Sequence, residues 1–240
     1  MPRLTLSNDQ LMIYDDFLPR DAFESLLVHA NKDRYATVHR GAWQKAWRVD
    51  DGIPLHGTAT YYRDDASLFR EEEQPRYPTH GPLDAFFEAV NEVTGQAEKI
   101  VGRRGTAWTG ITASPWVYPA GTALSLHRDH YQYSGSFTYY IHRQWSFHWG
   151  GQLLVLDPRT GCGAPDLDDS PQGWPFLLDD EENAHVSEPG LATCILPKPN
   201  RLVFIERNAY HLVTRVDPNA GNRPRVALAG FFIPPGAVLG

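Results

Sequence analysis

Residues 118–129 read YPAGTALSLHRD, and the end of this stretch decides what kind of fold the chain needs. In an extended chain the side chains of residues i and i+2 share a face. His127 and Asp129 therefore reach one point, while Arg128 turns away. A third ligand has to come from another strand, laid alongside by a sheet. His211, 82 residues beyond Asp129, opens the apolar run Leu212-Val213 and follows a strand expected to end near Glu206. Two imidazoles and one carboxylate hold a non-haem Fe(II) ion on one face and leave the other positions open for a cosubstrate and dioxygen. A dicarboxylate cosubstrate then needs a cation at a fixed distance. Arg225, 14 residues past His211 at the start of the next expected strand, supplies a planar guanidinium suited to a bidentate carboxylate grip. Arg223 is its rival, but it precedes Pro224 and is expected in the turn. A zinc hydrolase also uses two His and an Asp, yet it would leave the spaced Arg without a role. Any one of the ten His is an ordinary residue by itself; the ordered set carries the reading.

Working outward, the texture after Gly105 is short β-rich runs separated by Gly, Pro and Asp. Strands are expected over 107–117, 122–126, 136–141, 152–156, 201–206, 211–216 and 225–233. Seven or eight such strands make a sandwich or jelly roll. Residues 158–199 read as one long irregular insertion, too long for an ordinary connection and so a functional loop or lid. It holds eight acidic residues between Asp166 and Glu188 against Arg159 and Lys198. That gives −6 of the chain's net −7; such a run is ordinarily a solvated loop, and the sharper reading is a lid that favours a cationic or amine-bearing substrate. Towards the N-terminus, 11–18 reads as a strand. A D-x-x-E capping pattern at Asp21 and Glu24 then starts a helix of about ten residues. Residues 32–74 are less regular, carrying Trp43, Trp47 and a turn at Asp51-Gly52. A second helix is expected over 82–93, with Pro82 in its first turn and Leu83, Phe86, Phe87, Val90 and Val93 as its apolar stripe.

At 240 residues and 42% hydrophobic, the chain suits one domain with a substantial core: 1–105 as strand and helix support, 106–240 as the β core. The 20 Gly and 19 Pro fit a turn-rich fold. The acidic balance speaks against nonspecific nucleic-acid binding. No apolar run approaches a membrane span, and Met1-Pro2-Arg3-Leu4 has no secretory character, so a cytoplasmic location is expected, with Cys162 and Cys194 as thiols rather than a disulfide framework.

Several stretches resemble the 2-oxoglutarate/Fe(II)-dependent oxygenases, specifically their prolyl-4-hydroxylase-like branch. Tyr118 through Gly121 to His127-Arg128-Asp129 is similar to that family's approach to the iron. Tyr139-Tyr140-Ile141, then Trp145 and Gly150-Gly151-Gln152-Leu153, resembles its central stretch. Pro197 to Phe204 and Arg225 to Phe232 resemble the runs flanking the distal His. The resemblance spans about 116–233. It implies a mainly β, α+β fold: a double-stranded β-helix (a cupin-like jelly roll) with the N-terminal helices packed on the major sheet. It also implies Fe(II) on His127, Asp129 and His211, and 2-oxoglutarate gripped by Arg225 with Tyr140 and Tyr118 beside it. Dioxygen is the implied oxidant, and hydroxylation of an unactivated C–H bond the implied reaction. His142 stands where the family commonly carries Asn, which leaves its role open. The intact Asp129 disfavours halogenation.

A small-molecule substrate is expected, an amino acid, a peptide or a secondary metabolite, held by residues 35–57 (with Trp43, Trp47 and Arg48), 130–133, 145–149 and the acidic insertion. The alternatives are a protein or peptidyl hydroxylase and, from another class, a non-catalytic metal-binding jelly roll.

Overall fold

A computed structural model describes residues 2–38, 51–64, 75–129, 132–157 and 190–237. Trp43, Trp47, Arg48, His130, Cys162 and the eight acidic residues of the insertion lie outside these residues.

Two antiparallel sheets form the body. The first strands are β1 (Arg3–Ser7), β2 (Leu11–Asp15), β3 (Ala36–Thr37), β4 (Leu55–His56), β5 (Thr60–Arg63) and β6 (Gly110–Tyr118). They are followed by β7 (Leu124–His127), β8 (Gly135–Tyr140), β9 (Leu153–Leu156), β10 (Ala192–Ile195), β11 (Leu202–Glu206), β12 (His211–Val213) and β13 (Arg225–Ile233). The major sheet runs β1-β2-β11-β8-β13-β6-β4-β3, with β5 also on β6, and the minor sheet runs β10-β9-β12-β7. The helices are α1 (Arg20–Lys32), α2 (Pro82–Thr94) and α3 (Glu98–Val101). This is the double-stranded β-helix with flanking helices that the sequence implied.

The central strands are buried on both faces, and their sequences alternate accordingly. In β11, Leu202 and Phe204 join the core under the helices, while Val203 and Ile205 face the minor sheet. In β13, Leu228 and Phe232 point to the helices and Ala227 points inward. Phe86, Phe87 and Val90 of α2 and Leu26 of α1 seal the outer face, with Phe86 and Tyr139 rings 5.1 Å apart.

Three local expectations change. Asp21 and Glu24 form no capping box: α1 starts at Arg20, its N-cap is Pro19, and no side chain caps it. Asp21 instead lies in the first turn, where its charge suits the helix dipole, and Glu24 pairs with Arg143 at 2.9 Å. The range 158–199 is not irregular throughout, because β10 pairs with β9 from Ala192↔Leu156 to Ile195↔Leu153. Among its described residues, the region 32–74 contains three short strands that extend the major sheet through β6.

Candidate functional site

His127 ends β7 and pairs directly across the minor sheet with His211, the first residue of β12. Asp129 follows two residues beyond β7. The ring centroids of the two histidines are 4.3 Å apart. Nε2 of His127 is 4.0 Å from Oδ1 of Asp129, and Nε2 of His211 is 3.9 Å from Oδ2. All three residues are buried, and their ligand atoms lie within 4.8 Å of one another, a spacing able to hold one metal ion.

Hydrogen bonds set the tautomers. His127 Nδ1 lies 2.6 Å from the Ser125 carbonyl, and His211 Nδ1 lies 2.8 Å from the Ala209 carbonyl. A carbonyl oxygen only accepts, so each Nδ1 carries the proton and each Nε2 turns a lone pair towards Asp129. Ser125 is itself held, because its amide (3.0 Å) and its hydroxyl (2.7 Å) donate to the buried Asp51 carboxylate. In the sequence Asp51 is only a turn residue; its role depends on a contact across 74 positions that no local pattern signals.

Arg225 opens β13 opposite Tyr118 of β6 and is only 2% exposed. Among the described residues it pairs with no carboxylate, and its Nε has no hydrogen-bond partner. Its guanidinium carbon sits 5.0 Å from the Tyr140 ring centre and 5.2 Å from that of Tyr118. The Tyr140 hydroxyl is likewise buried without a partner. A buried cation without a counter-ion costs energy unless an anion arrives, so this end of the cavity fits a carboxylate ligand. Burial pushes the Tyr118 hydroxyl up to about 12, against the opposing pull of Arg225 and with a smaller push from Asp51, so it stays a donor. His127, Asp129, His211, Tyr118 and Arg225 line one cavity of about 650 Å³.

Other expectations resolve differently. Arg223 is exposed and lies over Trp149, 5.2 Å from its ring, outside the cavity. Arg128 points away, towards the Tyr210 ring. Residues 145–149 do not line the pocket: Trp145 and Trp149 pack beside Tyr118, Val216 and Ala220. His142 does not line the cavity. It is buried, its Nε2 donates to the Pro197 carbonyl at 2.7 Å, and its Nδ1 faces Val226. Val38, His56 and Tyr133 do line the cavity, as the reading of 35–57 and 130–133 expected. Ala229 and Phe231 also line it, and in the sequence they are only letters of a strand motif. Cys194 is an exposed free thiol on β10. Among the described residues no helix is long and apolar enough to cross a membrane.

A family model for the 2OG-Fe(II) oxygenase superfamily matches residues 114–233, half of the chain and the whole of the constellation above. No curated protein matches the chain. Solved structures do. A Pseudomonas putida prolyl-4-hydroxylase is similar at 16% identity and a TM-score of 0.54, over 95% of this chain and 94% of that one. A Trichoplax adhaerens prolyl hydroxylase, in complex with a hypoxia inducible factor peptide fragment, is similar at 15% and 0.55, over 95% and 84%. HygX from Streptomyces hygroscopicus, with nickel, 2-oxoglutarate and hygromycin B bound, is similar at 11% and 0.55, over 96% and 88%. At these identities the likeness speaks for the fold. The family model covers the strands that carry the clustered histidines and the buried arginine, with the carboxylate just beyond the first of them, and the chain belongs to the 2OG-Fe(II) oxygenase superfamily, as a dioxygenase that uses Fe(II) and 2-oxoglutarate.

Proposed function

We propose that His127, Asp129 and His211 are the iron ligands and that Arg225 grips the far carboxylate of 2-oxoglutarate, with Tyr118 and Tyr140 beside it. The enzyme then hydroxylates an unactivated C–H bond of a small molecule. Residues 1–105 serve as support for a catalytic core over 106–240. The observation that carries this reading is the pairing, in one buried cavity, of a carbonyl-oriented His/Asp/His cluster with an arginine lacking any carboxylate partner among the described residues.

Bound there, Fe(II) and 2-oxoglutarate supply the oxidising power that inserts one oxygen atom of dioxygen into a C–H bond, with succinate and CO2 as coproducts. The chain's own residues do the rest. The carbonyls of Ser125 and Ala209 keep both Nδ1 protons in place, so neither imidazole has to reorganise when it ligates. Arg225 fixes the cosubstrate's length and direction, and a buried guanidinium grips a carboxylate more tightly than an exposed one. Tyr118 keeps its proton and can donate to the same carboxylate. The tyrosine rings and the apolar residues between the sheets exclude water from the reacting centre. A merely structural metal site has no use for the buried Arg225, which sets the non-catalytic alternative aside.

Anaerobic addition of Fe(II) and 2-oxoglutarate to the wild-type protein should produce a weak visible charge-transfer band, and His211→Ala should lose it. Wild-type protein that develops no band sinks the assignment. Succinate formation driven by intact proteins, and by no small molecule, would move the reading to a peptidyl hydroxylase.

A further inference from the structure

Beyond Arg225, the inner face of the major sheet forms a trough. Along β13 the inward positions are Arg225, Ala227, Ala229 and Phe231, a span of roughly 20 Å. Ala229 is flanked by Thr138 of β8, which also lines the cavity, and pairs on its other side with the buried Ser114 of β6, so the side chains beside it are small. The next rung ends it. Phe231 stands up from the sheet, and the Tyr133 ring stacks on it at 4.2 Å and 16°. On the flank, His56 and Trp116 meet edge to face at 4.5 Å. A cavity of about 650 Å³ is in the range that encloses a whole drug-sized ligand, more space than the cosubstrate alone requires.

The described lining carries few charges. Among the described lining residues, the only Asp, Glu, Lys or Arg side chains are Asp129 and Arg225. Fe(II), the dianionic cosubstrate, Asp129 and Arg225 together sum to zero. Burial draws the His56 pKa down, with the Asp33 charge opposing, so this ring adds no cation at neutral pH. A charged group entering the trough would lose its hydration and find no described counter-charge. An aromatic or aliphatic group would exchange water for ring faces and methyl groups.

We propose that the trough over Ala229, closed by Phe231 and Tyr133, is the substrate subsite and that it takes an uncharged, apolar or aromatic group rather than an amine or an acid. This rests on the assignment of iron to the His/Asp/His cluster and of the cosubstrate to Arg225. The small floor makes Ala229 the specificity-determining position.

The test uses three probes of one shape and different charge: 5-fluoroindole, cationic 5-fluorotryptamine and anionic 5-fluoroindole-3-acetate. Each is titrated by fluorine NMR into anaerobic protein loaded with Fe(II) and 2-oxoglutarate. The neutral probe should bind at least about tenfold more tightly than either charged one. Ala229→Phe should abolish its binding while keeping the wild-type charge-transfer band, because the substitution fills the trough without touching the ligands or Arg225. If Ala229→Phe does not fold, Phe231→Ala supplies the same test by removing the wall, and neutral-probe affinity should fall several-fold. Equal or tighter binding of a charged probe overturns the proposal, as does undiminished 5-fluoroindole binding in the filled or unwalled variant. A normal band with the wrong ranking condemns the substrate class alone. A missing band in wild type condemns the iron assignment and, with its charge balance gone, this proposal too.

Discussion

Gly151 runs close against the stem of Arg225, the cation proposed to grip the cosubstrate. It has φ of +69°, a conformation that costs an L side chain about 1 kcal/mol. A Cβ there would stand 3.0 Å from Cδ of Arg225, and one on the preceding Gly150 would stand 2.0 Å from the Arg215 carbonyl. The glycine pair thus lets the loop before β9 pass beneath the arginine stem. Gly151→Ala should displace the guanidinium and raise the KM for 2-oxoglutarate several-fold, with a smaller change in kcat, as measured by succinate formation at saturating substrate. An unchanged KM would mean that the stem has room to spare. Roles of this kind divide the residues that could be read in advance from those that could not. The His/Asp/His set and Arg225 were legible because their chemistry demands rare residue types in a fixed order. Gly151 was visible only as a motif letter, Ala229 is an unremarkable alanine in a strand, and Asp51 acts through Ser125, 74 positions away. For these three the meaning lies in what the fold brings opposite.

Strands were readable where packing constrains both faces and obscure where it does not. β11 and β13 alternate between two cores and announced themselves. β1 is almost wholly exposed, so no apolar period marks it, and β10 is an edge strand with exposed Ala192, Thr193 and Cys194 inside an acidic stretch. What fixes β1 and β2 to the sheet is partly ionic. Asp15 on β2 is 2% exposed and meets Arg201 at 2.6 Å, Lys198 at 3.1 Å and Arg3 at 3.2 Å. Burial alone would raise its pKa, but the hydrogen bonds and charges of Arg201 and Lys198 outweigh that and hold it at about 2. A depressed carboxylate stabilises the fold above its unfolded pKa and loses that contribution as pH falls from about 4 to 2. With Arg3 and Lys198 partly exposed, the contribution is about 1–2 kcal/mol. Asp15→Asn should lower the stability by about that amount at pH 7, leaving Arg201 without its carboxylate. It should also flatten the loss of stability between pH 4 and 2 in urea titrations, whereas a variant as acid-sensitive as wild type would assign the acid limb elsewhere.

The strand order threads distant parts of the chain together. β2 pairs with β11 across nearly two hundred residues, and β5 and β4 pair with β6. Loosening of one seam is therefore felt across the sheet. His142 closes such a seam, joining the Pro197 carbonyl after β10 to Val226 on β13, one residue from Arg225, with Tyr140 and Trp145 rings 5.9 and 5.0 Å from its own. Burial pulls its pKa down to about 4; the carbonyls of Pro197 and Val226 oppose this and the nearby Arg225 charge adds to it. Unfolded, the ring titrates near 6.5. Between those values the unfolded chain binds a proton that the folded chain refuses, so stability must fall as pH drops from about 6.5 to 4, by roughly 2–3 kcal/mol in all. His56 is shifted in the same direction and adds to the slope. The acid response thus has two limbs, imidazole between about pH 6.5 and 4 and Asp15 below that. His142→Asn keeps a donor in the seam and removes the proton, so its unfolding free energy should change less between pH 7 and 4.5 than that of wild type. His56 contributes to the slope that remains. Parallel pH curves for the two proteins would show that protonation of His142 does not open this seam.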